Sequence, residues 1–190
     1  MTLYLIRHGE TDWNRQNRRQ GHTDIPLNDT GRSQSRHAAK LLGALCPQVQ
    51  RIYCSPLSRA LESAQIISNT LGWENIGIKV EPLLIERHFG ESEGLLPEER
   101  RARFPDEWDC GMEPTEMFSA RAQAVCEKIL QEASENDNVL IVSHYVMLST
   151  IIDILTEGRV PKMHMEQGSV YRILHQGEDV QVAKFTLQEY

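Results

Sequence analysis

The sequence lacks the marks of several protein classes. Its four cysteines form neither the Cys-x-x-Cys pairs of a metal site nor the dense pattern of a disulfide-stapled domain. No apolar run reaches the roughly 20 residues that a membrane span needs, and the short run before Arg7 is too brief for a signal-peptide core. The net charge of −7 argues against broad binding to nucleic acid or anionic membranes. We therefore expect a cytoplasmic protein with reduced thiols and no nucleic-acid or membrane partners.

The length and the hydrophobic content of the chain are typical of one folded domain. The chain has 190 residues, of which 40% are hydrophobic, enough to bury one sizeable core. Internal repeats, low-complexity tracts and long linkers are absent from the sequence. We expect a single domain over residues 1–190.

Short apolar runs alternate with helical patterns along the chain. The predicted strands are Leu3–Ile6, Arg51–Ser55, Ile78–Leu84 and Val139–Val142, followed by a closing antiparallel pair, Val170–Leu174 and Val180–Leu187, around Gln176-Gly177-Glu178. The predicted helices are one capped by Thr30, one from about Leu57 to Leu71 that Gly72 ends, one from Thr115 to about Glu135, and one reaching about Leu155. This alternation predicts an α/β fold: a three-layer α/β/α sandwich around a mostly parallel central sheet.

Polar residues come directly after four of these strands. Arg7 and His8 follow the first strand, Arg59 begins the helix after the second, Glu86 follows the third, and His144 follows the fourth. In open α/β sheets, ligands bind beyond the carboxyl ends of the strands, so we expect these five side chains to converge.

This set of side chains suits phosphoryl chemistry. Neutral His8 is a candidate nucleophile, and the forked guanidinium groups of Arg7 and Arg59 match phosphate oxygens. His144 is a second donor for the phosphoryl oxygens, and Glu86 is the best-placed acid to protonate a leaving alkoxide. We expect no cofactor and no metal, because the arginines and histidines supply the positive charge, and the sequence has no His-x-x-x-His or similar ligand pair for zinc.

Each residue also has a plainer interpretation when taken alone. Arg59 is compatible with a solvated helix residue, Glu86 with a surface carboxylate, and His144 with a hydrogen-bonded histidine at a strand end. Agreement among four separate strand ends favours the catalytic interpretation over these alternatives.

Several motifs, in order and at suitable spacing, resemble one known family. They are Arg-His-Gly-Glu-Thr at 7–11 with Trp13-Asn14, the Gln20–Leu27 stretch, Thr30-Gly31, Ser-Pro-Leu-Ser-Arg-Ala at 55–60, Glu86 with Phe89-Gly90 and Glu93-Gly94, and Val-Ser-His at 142–144. From Leu3 to about Ile152 the chain is similar to the histidine phosphatase superfamily, also called phosphoglycerate mutase-like proteins.

The resemblance implies roles for these positions. His8 would be phosphorylated during turnover and Glu86 would donate the proton; Arg7, Asn14, Arg59 and His144 would line the phosphate pocket, with Gln20 and Gly21 beside it. The 21–27 stretch looks most like the phosphatase branch, including α-ribazole-phosphate phosphatases and broad-specificity enzymes. The expected function is hydrolysis of a small phosphorylated metabolite. The alternatives are a phosphoglycerate mutase-type transfer and a catalytically silent phosphoryl-binding module.

Substrate identity is left open by the sequence. Tyr145 follows His144 where the family usually has glycine, so we expect it to narrow the pocket or to contact substrate. Segment 87–114 is predicted to be a lid or substrate-specificity insertion, in which Arg100, Arg101 and Arg103 either hold a second anionic group or face solvent. A homodimer formed through the closing strands stays open as an alternative to a monomer.

Overall fold

The computed structural model describes residues 1–46, 48–106, 110–161, 163–176 and 179–186. These residues contain a six-stranded sheet. Its strands are β1 (Thr2–Arg7), β2 (Arg51–Cys54), β3 (Ile78–Val80), β4 (Asn138–Ser143), β5 (Val170–Gln176) and β6 (Asp179–Phe185). The helices are α1 (Asp12–Arg15), α2 (Asp29–Leu45), α3 (Ser58–Leu71), α4 (Pro97–Arg103), α5 (Thr115–Glu132) and α6 (Tyr145–Leu155), with 3₁₀ turns at Glu74–Ile76, Pro82–Leu84 and Gly90–Ser92.

The strand order is β3-β2-β4-β1-β5-β6. The first four strands in this order are parallel, whereas β5 runs antiparallel to β1 and β6 antiparallel to β5. The predicted mostly parallel sheet is therefore confirmed. Because β1, β2, β3 and β4 point the same way, the loops after them open at one edge of the sheet.

Alternate residues of β1 face opposite sides of the sheet, as the two-residue period of a strand requires. Leu3 and Leu5 pack in a core with side chains of α5 and α6, and Tyr4 and Ile6 pack in a second core with side chains of α2 and α3. Helices therefore cover both faces, which confirms the predicted α/β/α sandwich. Within the described ranges, no helix combines the length and the apolar character that a membrane crossing requires.

Several predicted boundaries were wrong, including the end of β2, which is Cys54 and not Ser55. Helix α2 is capped by Asn28, whose side chain accepts a hydrogen bond from the Gly31 amide at 2.9 Å, so the predicted cap, Thr30, lies inside the first turn. The third strand ends at Val80, because Glu81 accepts a hydrogen bond from the Leu83 amide and starts a 3₁₀ turn. Helix α5 stops at Glu132 rather than Glu135. Gln176, predicted to lie in the closing turn, is the last residue of β5, whereas the rest of that turn (177–178) and residue 187 lie outside the described residues.

Candidate active site

A cavity of about 400 Å³ contains most of the predicted site residues. Its lining comprises Arg7, His8, Glu10, Asn14, Asn17, Arg18, Gln20, Glu86, Phe89, Tyr145, Val146, His164 and Gln167. The lining thus includes the predicted Arg7, His8, Asn14, Gln20, Glu86 and Tyr145. Gly21, Arg59 and His144 are buried and are not among the residues that line this cavity, although the His144 ring lies beside that of the lining residue His8.

His8 comes directly after β1, which ends at Arg7. Its Nδ1 lies 2.7 Å from the carbonyl oxygen of Gly9, which only accepts, so Nδ1 carries the proton and donates it. The Nε2 atom is therefore left with its lone pair. Burial, together with the positive charges of Arg59 and Arg7, holds the pKa of His8 well below its usual value. His8 is a neutral imidazole with a free lone pair, which is the form that a nucleophile needs.

Two glycines, Gly9 and Gly31, allow the backbone after His8 to pack closely against the start of α2. A Cβ on Gly9 would collide with the carbonyl group of Gly31, and a Cβ on Gly31 would collide with that of Glu10. The Gly9 amide also donates to Ser63 Oγ of α3 at 3.1 Å. This close packing fixes the backbone on which His8 is carried.

The Arg7 side chain is held by a backbone carbonyl from the C-terminal part of the chain. Its Nη1 donates to the carbonyl of Met165 at 3.0 Å, and its guanidinium lies over the Tyr145 ring, 5.6 Å from the centroid. The Arg7 Nε atom is buried and has no hydrogen-bond partner among the described residues. Burial lowers the pKa of Arg7, whereas the nearby Glu86 raises it. The guanidinium is thus oriented at the cavity with an N–H left for a ligand.

His144 lies beside His8, with their ring centroids 5.1 Å apart. The His144 Nε2 atom is 2.7 Å from Ser55 Oγ, and its Nδ1 is buried without a partner among the described residues. Burial and the positive charge of Arg59 hold the pKa of His144 well below its usual value. Two neutral imidazoles therefore lie next to each other at the ends of neighbouring strands.

Arg59 is fully buried in the first turn of α3. Its guanidinium donates to the carbonyls of Gly21 at 2.7 Å and Thr23 at 3.0 Å. Burial lowers the pKa of Arg59 to about 10. Several of its donors are thus used to hold the 21–23 backbone, and its charge acts on the histidines from behind the cavity.

Gln20 links Arg59 to the cavity wall through its side-chain amide. In the orientation that satisfies every partner, its oxygen accepts from Arg59 Nε at 2.7 Å and its nitrogen donates to Thr11 Oγ1 at 2.6 Å. The Thr11 hydroxyl in turn donates to Asn14 Oδ1 at 3.1 Å, which also accepts from the Thr11 amide. With Oδ1 used in this way, Asn14 keeps its amide N–H groups for the cavity.

Glu86 is buried and held by three backbone amides. Its Oε1 accepts from the amides of Arg87 (2.9 Å) and Met147 (3.2 Å), and its Oε2 accepts from the amide of Val146 (3.1 Å). Val146 and Met147 lie in the first turn of α6, where amides have no partner within the helix. Burial raises the pKa of Glu86 and outweighs the three hydrogen bonds, which lower it. A carboxyl group in this setting retains a proton above the usual carboxyl range.

Sequence reasoning missed the residues that hold the backbone around Glu86. Arg121 of α5 donates to the carbonyls of Leu83 (2.9 Å), Ile85 (2.7 Å) and Glu86 (3.2 Å), and it pairs with Glu113 at 2.8 Å. In the sequence, Arg121 is one more charged residue on a helix, and the three carbonyls that it binds lie 35 to 38 residues away. No spacing rule points to such a contact.

The outer part of the cavity was also missed. His164 and Gln167 precede β5 and line the cavity together with Asn17 and Arg18. The His164 ring lies 5.7 Å from that of Tyr145, centroid to centroid. The irregular segment that supplies His164 has no apolar period, so its position could not be read from the sequence.

Segment 87–114 contributes little to the cavity wall. Among its described residues only Phe89 lines the cavity, and residues 107–109 lie outside the described ranges. Arg100, Arg101 and Arg103 do not line it, and Arg103 pairs with Glu91 at 2.7 Å. These three arginines therefore do not contact this cavity, and the expectation of a second anion-binding site stays a prediction.

Comparison with known proteins agrees with this geometry. The family model of the histidine phosphatase superfamily (branch 1) matches residues 3–188. A curated relative, the uncharacterized phosphatase PhoE of Bacillus subtilis, is 38% identical over 154 residues, which cover 81% of this chain and 77% of the relative. A 2,3-bisphosphoglycerate-dependent phosphoglycerate mutase 2 of Gloeobacter violaceus is 29% identical over 191 residues, covering 93% of this chain and 86% of that protein.

A solved structure has the same fold. The crystal structure of a putative α-ribazole-5′-P phosphatase from Escherichia coli superposes with a TM-score of 0.83 and 26% identity, covering 96% of this chain and 94% of that one. The resemblance predicted from the motifs is thereby confirmed over nearly the whole chain. The chain belongs to the histidine phosphatase superfamily and is an enzyme of phosphatase type.

Proposed function

We propose that this chain is a histidine acid phosphatase-type enzyme that hydrolyses small phosphomonoesters through a phosphohistidine on His8. The observation that carries the proposal is the pairing of two groups at one cavity. His8 offers a neutral Nε2 lone pair, and Glu86 is a buried carboxyl group whose pKa is raised. A nucleophile and a proton donor are the two groups that transfer of a phosphoryl group from an alcohol requires.

In the first step, His8 Nε2 attacks phosphorus and the bond from phosphorus to the ester oxygen breaks. The leaving alkoxide takes the proton of Glu86, which becomes a carboxylate. The Gly9 carbonyl, 2.7 Å from His8 Nδ1, stabilises the positive charge that develops on the phosphorylated ring. The three amides that face Glu86 stabilise its new negative charge, so the acid is ready for its reverse role.

In the second step, water attacks the phosphohistidine and the phosphorus–nitrogen bond breaks. The Glu86 carboxylate accepts the proton that the water loses, and phosphate leaves. His8 is thereby returned to its neutral form and Glu86 to its protonated form. The protons and bonds balance over the cycle, and the net reaction is ester plus water to alcohol plus phosphate.

The phosphoryl oxygens need donors that do not move during the reaction. We assign this role to Arg7, Asn14 and His144, with Arg59 adding positive charge from behind the wall. Arg7 and His144 each have a buried nitrogen without a partner among the described residues, and Asn14 has its amide nitrogen available. Donors left unpaired by the protein are the ones that a bound phosphoryl group can use.

The first test is the variant His8→Ala. We expect turnover of p-nitrophenyl phosphate to fall about 10⁴-fold or more, as for other essential nucleophiles. The matched control is His37→Ala, which removes a histidine of α2 that does not line this cavity. Hydrolysis by His8→Ala at near the rate of the unsubstituted enzyme would contradict the mechanism.

A mutase is the second candidate, because several matched relatives are named as phosphoglycerate mutases. Such an enzyme returns the phosphoryl group to a bound acceptor instead of to water. Incubation with a phosphoglycerate separates the two: we expect free phosphate, and isomerised product without free phosphate would favour the mutase. A panel of phosphorylated metabolites that includes α-ribazole phosphate, assayed for free phosphate, would then identify the substrate.

A further inference from the structure

Ser55 lies directly behind His144 and has no role in the mechanism above. It follows β2, is fully buried, and its Oγ is 2.7 Å from His144 Nε2. The other contact of this oxygen among the described residues is a long one, 3.4 Å, from the Leu57 amide. The amide can only donate, so it leaves the hydroxyl hydrogen of Ser55 in need of an acceptor.

A neutral imidazole carries one N–H and one lone pair, so the contact with Ser55 has two forms. In one form the Ser55 hydroxyl donates to Nε2, and Nδ1 carries the proton. In the other, Nε2 donates to Ser55 and Nδ1 has the lone pair. The neutral state applies here because burial keeps the pKa of His144 low.

The first form leaves fewer buried groups without partners. When Ser55 donates to Nε2, the hydroxyl hydrogen and the Nε2 lone pair are both satisfied, and only the Nδ1–H of His144 is unpaired. When Nε2 donates instead, the hydroxyl hydrogen of Ser55 and the Nδ1 lone pair are both left unpaired in the interior. Unpaired buried polar groups are costly, so the first form is favoured.

We infer that Ser55 is a positioning residue that holds His144 in the Nδ1–H tautomer, so that its buried Nδ1 donates to a phosphoryl oxygen. The claim that Nδ1 donates to a phosphoryl oxygen rests on the proposed function, whereas the tautomer assignment does not. A phosphoryl oxygen would supply the acceptor that Nδ1 lacks in the protein alone. The opposite tautomer would present a lone pair to the phosphoryl oxygens and repel them.

The two histidines then have the same tautomer but use it in opposite ways. In His8 the Nδ1–H is used on the Gly9 carbonyl and Nε2 is free to attack. In His144 the Nε2 lone pair is used on the Ser55 hydroxyl and Nδ1–H is free to donate. The hydrogen-bond partner of each ring thus decides its role. The Gly9 carbonyl leaves His8 as the nucleophile, and the Ser55 hydroxyl leaves His144 as the donor.

The tautomer can be measured directly on the unsubstituted enzyme labelled with ¹⁵N-histidine. Long-range ¹H–¹⁵N correlation spectra distinguish a protonated from an unprotonated ring nitrogen, and the variant His144→Gln identifies the His144 signals by their loss. We expect a protonated Nδ1 and an unprotonated Nε2 from pH 6 to 8, a range that we choose around the usual histidine pKa of about 6.5. A protonated Nε2 with an unprotonated Nδ1 would overturn the assignment.

The role of Ser55 is tested with Ser55→Ala in the same spectra. We expect the single tautomer to give way to a mixture or to Nε2–H, because the donor to Nε2 has been removed. A pure Nδ1–H tautomer in Ser55→Ala would overturn the claim that Ser55 sets it. Since the first spectra need no substitution at Ser55, the tautomer assignment is falsifiable even if this variant does not fold.

Kinetics and phosphate binding test the donor role. We expect Ser55→Ala to lower kcat on p-nitrophenyl phosphate about 10- to 100-fold, the range found for partners that orient a metal-bound histidine, with a smaller change in KM. Ser68→Ala, a buried serine at the far end of α3, is the control for loss of a buried hydroxyl. Inorganic phosphate added to the unsubstituted enzyme should shift the His144 Nδ1–H signal.

The failures are distinguishable. An active enzyme whose His144 signals do not respond to inorganic phosphate would overturn the donor role. A protein with the expected tautomer that hydrolyses no phosphomonoester would instead refute the proposed function and leave the tautomer assignment standing.

Discussion

Replacing Glu86 with glutamine removes one proton from the site and changes little in shape. The glutamine oxygen can keep the two hydrogen bonds that Oε1 accepts from the amides of Arg87 and Met147. Its NH₂ group then faces the Val146 amide. In the unsubstituted protein, that amide donates to Glu86 Oε2 at 3.1 Å. Two donors facing each other leave one buried N–H unpaired, so we expect the unfolding free energy to fall by about 1–3 kcal/mol.

The effect on chemistry should depend on the leaving group. General acid catalysis contributes about 10²- to 10⁴-fold, which is a change of about 3–5 kcal/mol in the activation barrier. An alkyl phosphate releases a strongly basic alkoxide and needs this proton, whereas p-nitrophenolate is stable without it. We therefore expect Glu86→Gln to lose about 10²- to 10⁴-fold in kcat/KM on an alkyl phosphate and less than about tenfold on p-nitrophenyl phosphate. The ratio kcat/KM reports the step in which the alcohol leaves, whereas hydrolysis of the phosphohistidine, in which Glu86 is the base, is common to both esters.

The assay measures kcat/KM for both esters in parallel, together with the thermal midpoint of each protein. Glu91→Gln is the matched control, because this exposed glutamate pairs with Arg103 outside the cavity. Equal losses on both esters would refute the acid assignment for Glu86, since a merely distorted site slows every substrate alike.

The pH profile gives an independent check on the same group. The first step needs protonated Glu86, so its rate on an alkyl phosphate should fall as the pH rises through the pKa of Glu86. Because burial raises that pKa, the fall should lie above the ordinary carboxyl range. In Glu86→Gln this limb should disappear. A limb that persists unchanged in the variant would assign the titration to another residue.

Three further predictions follow from the contacts around the site. Arg121→Met removes the donor to the carbonyls of Leu83, Ile85 and Glu86. We expect this variant to slow alkyl phosphates more than p-nitrophenyl phosphate, and to have no further effect on the ratio of the two rates in the Glu86→Gln background. An additive effect would contradict a role exerted through Glu86. Tyr145 lines the cavity, so Tyr145→Gly should raise the ratio of kcat/KM for bulky aryl esters to kcat/KM for small alkyl esters about tenfold, whereas Tyr145→Phe should not. An unchanged ratio in Tyr145→Gly would exclude Tyr145 as a wall of the site. Gly31→Ala should lower both the thermal midpoint and kcat, since its Cβ would collide with the Glu10 carbonyl beside the nucleophile, and a fully active, equally stable variant would contradict this close packing.

The parts of the fold that the sequence predicted are those that depend on local pattern and sheet geometry. The apolar run at Leu3–Ile6 and the one at Val139–Val142 became neighbouring parallel strands, in register from Thr2 with Asn138 to Arg7 with Ser143. That register places His8 and His144 one residue beyond a matched pair. Their approach to 5.1 Å between ring centroids is therefore a consequence of two strands ending together. The convergence was predictable because parallel strands share one carboxyl edge.

The sequence could not predict the hydrogen bonds that orient the converging side chains. Arg59 was expected to hold phosphate, and that expectation is untested; the sequence did not indicate that the carbonyls of Gly21 and Thr23 and the amide of Gln20 accept from several of its donors. The Met165 carbonyl that orients Arg7 lies 158 residues away, in a stretch without regular structure. Backbone carbonyls are present at every residue, so the sequence does not show which of them a side chain will select.

The same reasoning explains why Ser55 escapes notice in the sequence and matters in the structure. A serine at the end of a strand is unremarkable as a residue type, and its distance from His144 along the chain is 89 residues. Only the count of donors and acceptors in the folded interior assigns its hydroxyl hydrogen to His144 Nε2, because no other described atom can accept it. Residue type thus predicts which chemistry is available at a strand end, whereas the allocation of individual protons between buried partners decides which histidine attacks and which one donates.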